Sequence, residues 1–211
     1  MKRLRTISAA VVSVVVFAWS SYAQERPGDE SPVIWIGLQN GSEREARMAA
    51  DLRAVFRKYD LAPWVLTQNI LIDESQIPHS HPILTIHTRY IDDELRLLST
   101  LVHEQLHWLE EPPWLGRFRA AMQDYEGLFP VVPDSDEGGA RDAESTYRHL
   151  LVCDLEFQAM SALVGESTAR ETLASFSHYS WIYDRVLTDS RVREVALRHG
   201  FNVSDGAPER T

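Results

Sequence analysis

Cysteine is nearly absent from this chain: 211 residues carry one, Cys153. A single cysteine excludes an internal disulfide, so the fold must be held by packing and by any metal it binds. Cys153 itself is expected as a small buried apolar residue on a core helix. Positive charge is also scarce, with 21 Lys and Arg against 31 Asp and Glu and a net charge of −10. That balance argues against nucleic acid or an anionic membrane surface as a partner. No apolar run after the first 20 or so residues is long enough to span a bilayer. Internal repeats and low-complexity tracts are absent as well.

The one apolar run, Ile7 to Trp19, follows a basic start (Lys2, Arg3, Arg5) and precedes Ser21-Tyr22-Ala23. Basic region, short apolar region and small residues before a cut are the layout of a signal peptide. Cleavage is expected after Ala23, giving an exported protein, periplasmic or secreted, with no membrane contact once the leader is gone. Loss of residues 1–23 removes three cations and no acid, so the mature chain is more acidic still. Residues 24–31 read as a flexible mature N-terminus, 32–201 as a single domain, and 202–211 as a disordered tail.

Within that domain the informative feature is His103-Glu104-Gln105-Leu106-His107. On a helix, positions i and i+4 share a face one turn apart, so both imidazoles can reach one metal ion. Glu104 stands next to the first histidine, placed to act on a water at that metal. Chance shuffling of this composition yields only about 0.02 such motifs. The flanks, Thr100-Leu101-Val102 and Trp108-Leu109, carry no charge, which predicts a buried helix rather than a surface one with two spare histidines.

The surrounding pattern predicts an α+β, predominantly helical fold with a small sheet beside the motif helix. Val33 to Ile36 is a strand candidate. Ser42 and Glu45 form a capping box before a helix with apolar residues at helical spacing from Ala46 to Tyr59. Trp64–Ile72 and Ile83–His87 read as extended. Acidic Asp92-Asp93-Glu94 starts the motif helix, which runs to about Leu109 before Pro112-Pro113 ends it. A short helix over 114–125 follows, then a loop over 130–139. A long helix from about Arg141 to Leu163 stops at Gly165. Two or three helices fill 167–199 before Gly200.

The motif and this order of elements resemble zincin-type zinc metallopeptidases. The resemblance is strong over about ten residues and rests elsewhere on segment order. It implies one zinc ion per chain, a peptide or other amide as substrate, and a zincin-like fold. It also implies a substrate-binding edge strand at Ile83–His87. The metzincin branch needs Gly and His after the motif, where this chain has Glu110 and Glu111 and then two prolines. The gluzincin branch remains, in which a glutamate from a later helix completes the ligand set.

Three residues compete for that third position. Glu156 lies on an apolar, buried helix where an ionised group needs a partner, and Glu156-Phe157-Gln158-Ala159 resembles the E-x-x-A of gluzincins. Met160 stands where the family often has an orienting aspartate. His149, two turns earlier on the same face, is the second candidate, either as ligand or as a core histidine. Glu126, separated from His107 by eighteen residues and followed by Gly127, is the third.

The resulting ligand set is His103, His107 and Glu156, with Glu104 as general base. Tyr179, one turn from Tyr183, is the candidate stabiliser of the transition state, with His178 pointing elsewhere. A non-catalytic periplasmic metal-binding protein using the same ligands is the alternative, as is hydrolysis of a non-protein amide.

Overall fold

The computed structural model describes residues 33–202. The expected leader, the polar N-terminus over 24–31 and all but the first residue of the expected tail lie outside the described residues.

The chain enters through β1 (Trp35–Leu38) and turns into α1 (Glu43–Lys58). The Ser42–Glu45 capping box forms as its sequence implies, with each side chain reaching the other residue's backbone. Glu45 also accepts N–H groups of Asn40 and Gly41, each at 2.8 Å, so one buried carboxylate ties the β1–α1 turn to the helix. A short 3-10 turn over Ala62–Trp64 carries the chain to β2 (Asn69–Ile72), and β3 (Leu84–Ile86) follows. The three strands form one parallel sheet in the order β1-β2-β3.

β2 and β3 are shorter than their sequence suggests, and β1 is shifted. Pro63 sits in the first turn of the 3-10 segment, where its fixed φ is at home, and this removes Trp64 from the extended run. β1 begins two residues later than the Val33 reading, and Val33 is exposed. Two alternations of apolar residues cannot fix strand register without a partner strand.

The rest is helical. α2 (Glu94–Leu106) starts at Asp93, whose side chain caps the Arg96 N–H, and carries the motif. A 3-10 turn over His107–Glu110 follows it. After Pro112-Pro113 come α3 (Leu115–Leu128) and α4 (Ala143–Val164), then α5 (Glu166–Ala174), α6 (Ser180–Thr188) and α7 (Ser190–Arg198). The fold is therefore α+β and predominantly helical, with the small sheet on one side of α2, as expected.

α4 is the central element. It packs against α2, α3, α5, α6 and α7, and Leu150, Leu151, Val152, Cys153, Leu155, Ala159 and Met160 are wholly buried in the common core. Cys153 fulfils the expectation of a small buried residue there. Because α2 lies between β3 and α4, its motif face is held by sheet on one side and by the core helix on the other. No helix among the described residues is long and apolar enough to cross a membrane.

Candidate metal centre and cleft

His103, Glu104 and His107 are all less than a tenth exposed, in keeping with their uncharged flanks. They open onto a cleft of about 610 Å³ bounded by α2, the start of α4, the segment 77–81 and the residues leading into α6. Six of the chain's eight histidines line it: His79, His81, His103, His107, His149 and His178.

Three of these converge. The Nε2 atoms of His103 and His107 are 3.3 Å apart. His149, from the facing turn of α4, places its ring centroid 5.5 Å from that of His103 and 5.0 Å from that of His107. One ring nitrogen of each lies within 4.8 Å of the others.

The opposite nitrogen of each ring is held by an acceptor. His103 Nδ1 is 2.9 Å from Glu156 Oε2. His107 Nδ1 is 2.6 Å from Glu110 Oε1, and His149 Nδ1 is 2.7 Å from the Ser145 carbonyl. Ionised carboxylates and carbonyls only accept, so each Nδ1 carries a proton, and Nε2 of a neutral ring keeps its lone pair. Two Nε2 atoms 3.3 Å apart call for a cation between them, either a proton on one ring or a metal ion. Two imidazoles on one tetrahedral zinc, each bonded at about 2.0–2.1 Å, stand about 3.3–3.4 Å apart. Donor type, spacing and the anchored Nδ1 atoms thus fit a zinc-like ion at the Nε2 side.

The electrostatics point the same way. Burial disfavours a charged His103 ring, but the adjacent Glu156 carboxylate reverses this and holds it well above the usual histidine range. Burial, together with the His103 charge, pushes His107 and His149 well below it. The cluster therefore accommodates one positive charge, and a metal ion would compete with a proton for it.

Glu156 is committed behind His103. Its Oε2 takes the His103 ring and the Tyr183 hydroxyl, the latter at 3.0 Å, and its Oε1 accepts the Ser99 hydroxyl. A second group, His103, Cys153 and Glu156, is also compact enough to hold a metal. It would use Nδ1 of His103 and break these bonds. It would also need a thiolate from Cys153, whose thiol burial raises to about 11. The three-histidine group is the better cation site.

Glu104 faces the cleft beside these rings. Burial pushes its carboxyl up to about 7, against the opposing fields of His103 and His79. A carboxyl in that range can take and return protons near neutral pH. Tyr179 sits with its ring 4.4 Å from His149 and 6.1 Å from His103. Its backbone is left-handed, φ 57°, an uncommon state for a large residue and one that clusters at functional sites.

The structure thus brings together His103, Glu104, His107, His149, Glu156 and Tyr179. Glu126 is elsewhere: it is exposed on α3, in a hollow shared with Arg119 and Tyr147. The outward edge of β3 is occupied, because Thr85 exchanges backbone hydrogen bonds with His79 at 2.7 and 3.2 Å. The segment 77–81, not Ile83–His87, forms that rim of the cleft. His178, expected to point away, lines the cleft too. α6 begins only at Ser180, so helical phase does not apply at 178.

Sequence reasoning missed Ser99, Glu110 and His79. Glu110 carried a usable signal, since a carboxylate three residues after a histidine shares its face. It is further braced by Arg148, whose Nε is 2.8 Å from Glu110 Oε2.

No family model matches this chain, and neither a curated protein nor a solved structure is significantly similar to it.

Proposed function

We propose that this protein is a zinc-dependent hydrolase of peptide or related amide bonds, with His103, His107 and His149 as its metal ligands. The observation that carries the reading is the convergence of three imidazoles, one ring nitrogen of each within 4.8 Å of the others, with each ring held at Nδ1. Glu156 orients His103 rather than binding the ion, and Glu110 does the same for His107. The reading keeps the zincin resemblance of the motif helix and puts a third histidine in place of the gluzincin glutamate.

Zinc at such a site supplies a water of lowered pKa and polarises a carbonyl. The chain's own residues do the rest. Glu104, within the dry wall of the cleft, takes a proton from the attacking water and hands it to the leaving nitrogen. The half-buried Tyr179, against His149, is the group placed to donate to the oxygen on which charge develops. Glu156, Ser99 and Tyr183 keep the His103 ring from turning.

A site closed by both His149 and Glu156 would favour the non-catalytic reading. They are seven residues apart on one helix, about 10.5 Å along its axis, and both Glu156 oxygens are engaged. Three ligands leave a position for water.

The test is Glu104→Gln. Zinc content measured by elemental analysis should stay near one per chain, while hydrolysis of a broad peptide library falls by at least roughly 10²-fold. Equal activity in both forms would exclude Glu104 as the base. A zinc-loaded wild type inactive on peptide and amide libraries would remove the hydrolase reading.

A further inference from the structure

Acids outnumber cations by 31 to 21 in this chain, yet its cleft is not acidic. Of the three carboxylates that line it, Glu156 is committed to His103, Ser99 and Tyr183. Glu110 is matched by Arg148 and His107, and Glu104 is buried in the cleft wall. Three arginines also line the cleft. Two are matched, Arg148 by Glu110 at 2.8 Å and Arg141 by Asp142 at 3.0 Å.

Arg89 is different. Its exposed guanidinium lies 5.9 Å from the Tyr90 ring, and no carboxylate among the described residues pairs with it. Its seat is nevertheless built. The Arg89 N–H donates to His87 Nδ1 at 2.8 Å. Thr88 accepts Arg44 from α1 through its hydroxyl at 3.4 Å. Tyr90 packs edge-on against Phe176 at 6.1 Å, and Arg96 bonds Ser175 at 3.2 Å. The backbone that carries this guanidinium is thus held where the sheet side of the cleft meets the wall that carries His178 and Tyr179.

We propose that Arg89 is a specificity residue of this cleft and receives a carboxylate on the substrate. The assignment rests on the hydrolase reading. The planar guanidinium fork matches a carboxylate in a bidentate way, and the other two arginines of the cleft already face a carboxylate of the protein. The carboxylate is either an Asp or Glu side chain or the peptide's C-terminal group, which share this chemistry.

The experiment uses zinc-loaded mature protein and quenched fluorescent peptides in matched pairs: internal Glu against Gln or Lys, and a free C-terminal acid against its amide. Wild type should favour the acidic member of one pair by roughly three- to fivefold in kcat/KM, expressed in KM, the scale of a partly exposed ion pair. The pair that discriminates identifies the source of the carboxylate. Arg89→Ala should erase the ratio with zinc content unchanged, and Arg89→Glu should turn it toward the Lys peptide. Ratios near one in wild type, or an unchanged ratio in Arg89→Ala, overturn the proposal. Should no peptide turn over, the hydrolase reading fails. Fluorescence anisotropy of the same peptides on Glu104→Gln protein then decides for Arg89 separately. Acid-selective binding lost in Arg89→Ala upholds its role, and binding without selectivity overturns it.

Discussion

The assignment of Glu156 and His149 can be separated by two substitutions on one helix. Glu156→Gln keeps the shape of the side chain and removes its charge. The amide oxygen can still accept one donor, but its NH2 meets either the His103 and Tyr183 donors or the Ser99 hydroxyl. His103 then loses the carboxylate that fixes its tautomer. Loss of such an orienting partner typically lowers metal affinity 10–100-fold, or about 1.4–2.7 kcal/mol. His149→Ala instead removes a ligand. Structural zinc binding of about 10–16 kcal/mol shared among three or four ligands gives each roughly 3–4 kcal/mol, several hundredfold in affinity. Competition with a chromophoric chelator at fixed pH measures both, with circular dichroism confirming the fold. His149→Ala should be weaker than Glu156→Gln by about an order of magnitude or more. The reverse order, with His149→Ala within tenfold of wild type, would place Glu156 in the ligand set and refute the three-histidine site.

Other consequences are structural. Glu45→Ala should lower stability by about 2–3 kcal/mol in urea unfolding, because the N–H groups of Asn40 and Gly41 lose a charged acceptor. Burial would raise the Glu45 pKa, but those donors hold it below its usual value. Its contribution is therefore present above the unfolded-state pKa and is lost as pH falls through the folded one; a wild-type minus Glu45→Gln difference that grows on acidification would contradict this. Gly138→Ala should reduce activity with zinc content preserved. At φ 89° a Cβ there would lie 2.3 Å from Ser180 Oγ and 2.8 Å from the Trp181 nitrogen, pushing on the start of α6 next to Tyr179. Unchanged kcat in that variant would argue against Tyr179 as a positioned donor.

Much of the fold was legible because its signals are local. The Ser42–Glu45 box and Asp93 each satisfy orphan N–H groups of the helix they start, and both helices begin there. Gly165 and Gly200 stop α4 and α7 with positive φ, where a glycine bears no steric cost. The strands were less legible because register comes from partners fourteen to thirty-four residues away. The HExxH pair was legible for the same reason as the caps: one helical turn fixes it.

The proposed third ligand was not local, yet part of the answer was within reach of spacing alone. Two turns of α4 separate His149 from Glu156, so a single ion level with one cannot touch the other. Which of them is level with it depends on how far α4 is shifted along α2, and that is set by side-chain packing between the two helices. The observed shift puts the longer imidazole opposite both motif histidines and the carboxylate behind His103. An E-x-x-A pattern reads identically in either arrangement, because a carboxylate on a buried apolar face needs a cationic or donor partner whether that partner is a metal or an anchored ring. The number of donors around Glu156 separates the two. A carboxylate already receiving Ser99, Tyr183 and His103 has no reason to leave them for an ion that three imidazoles can hold.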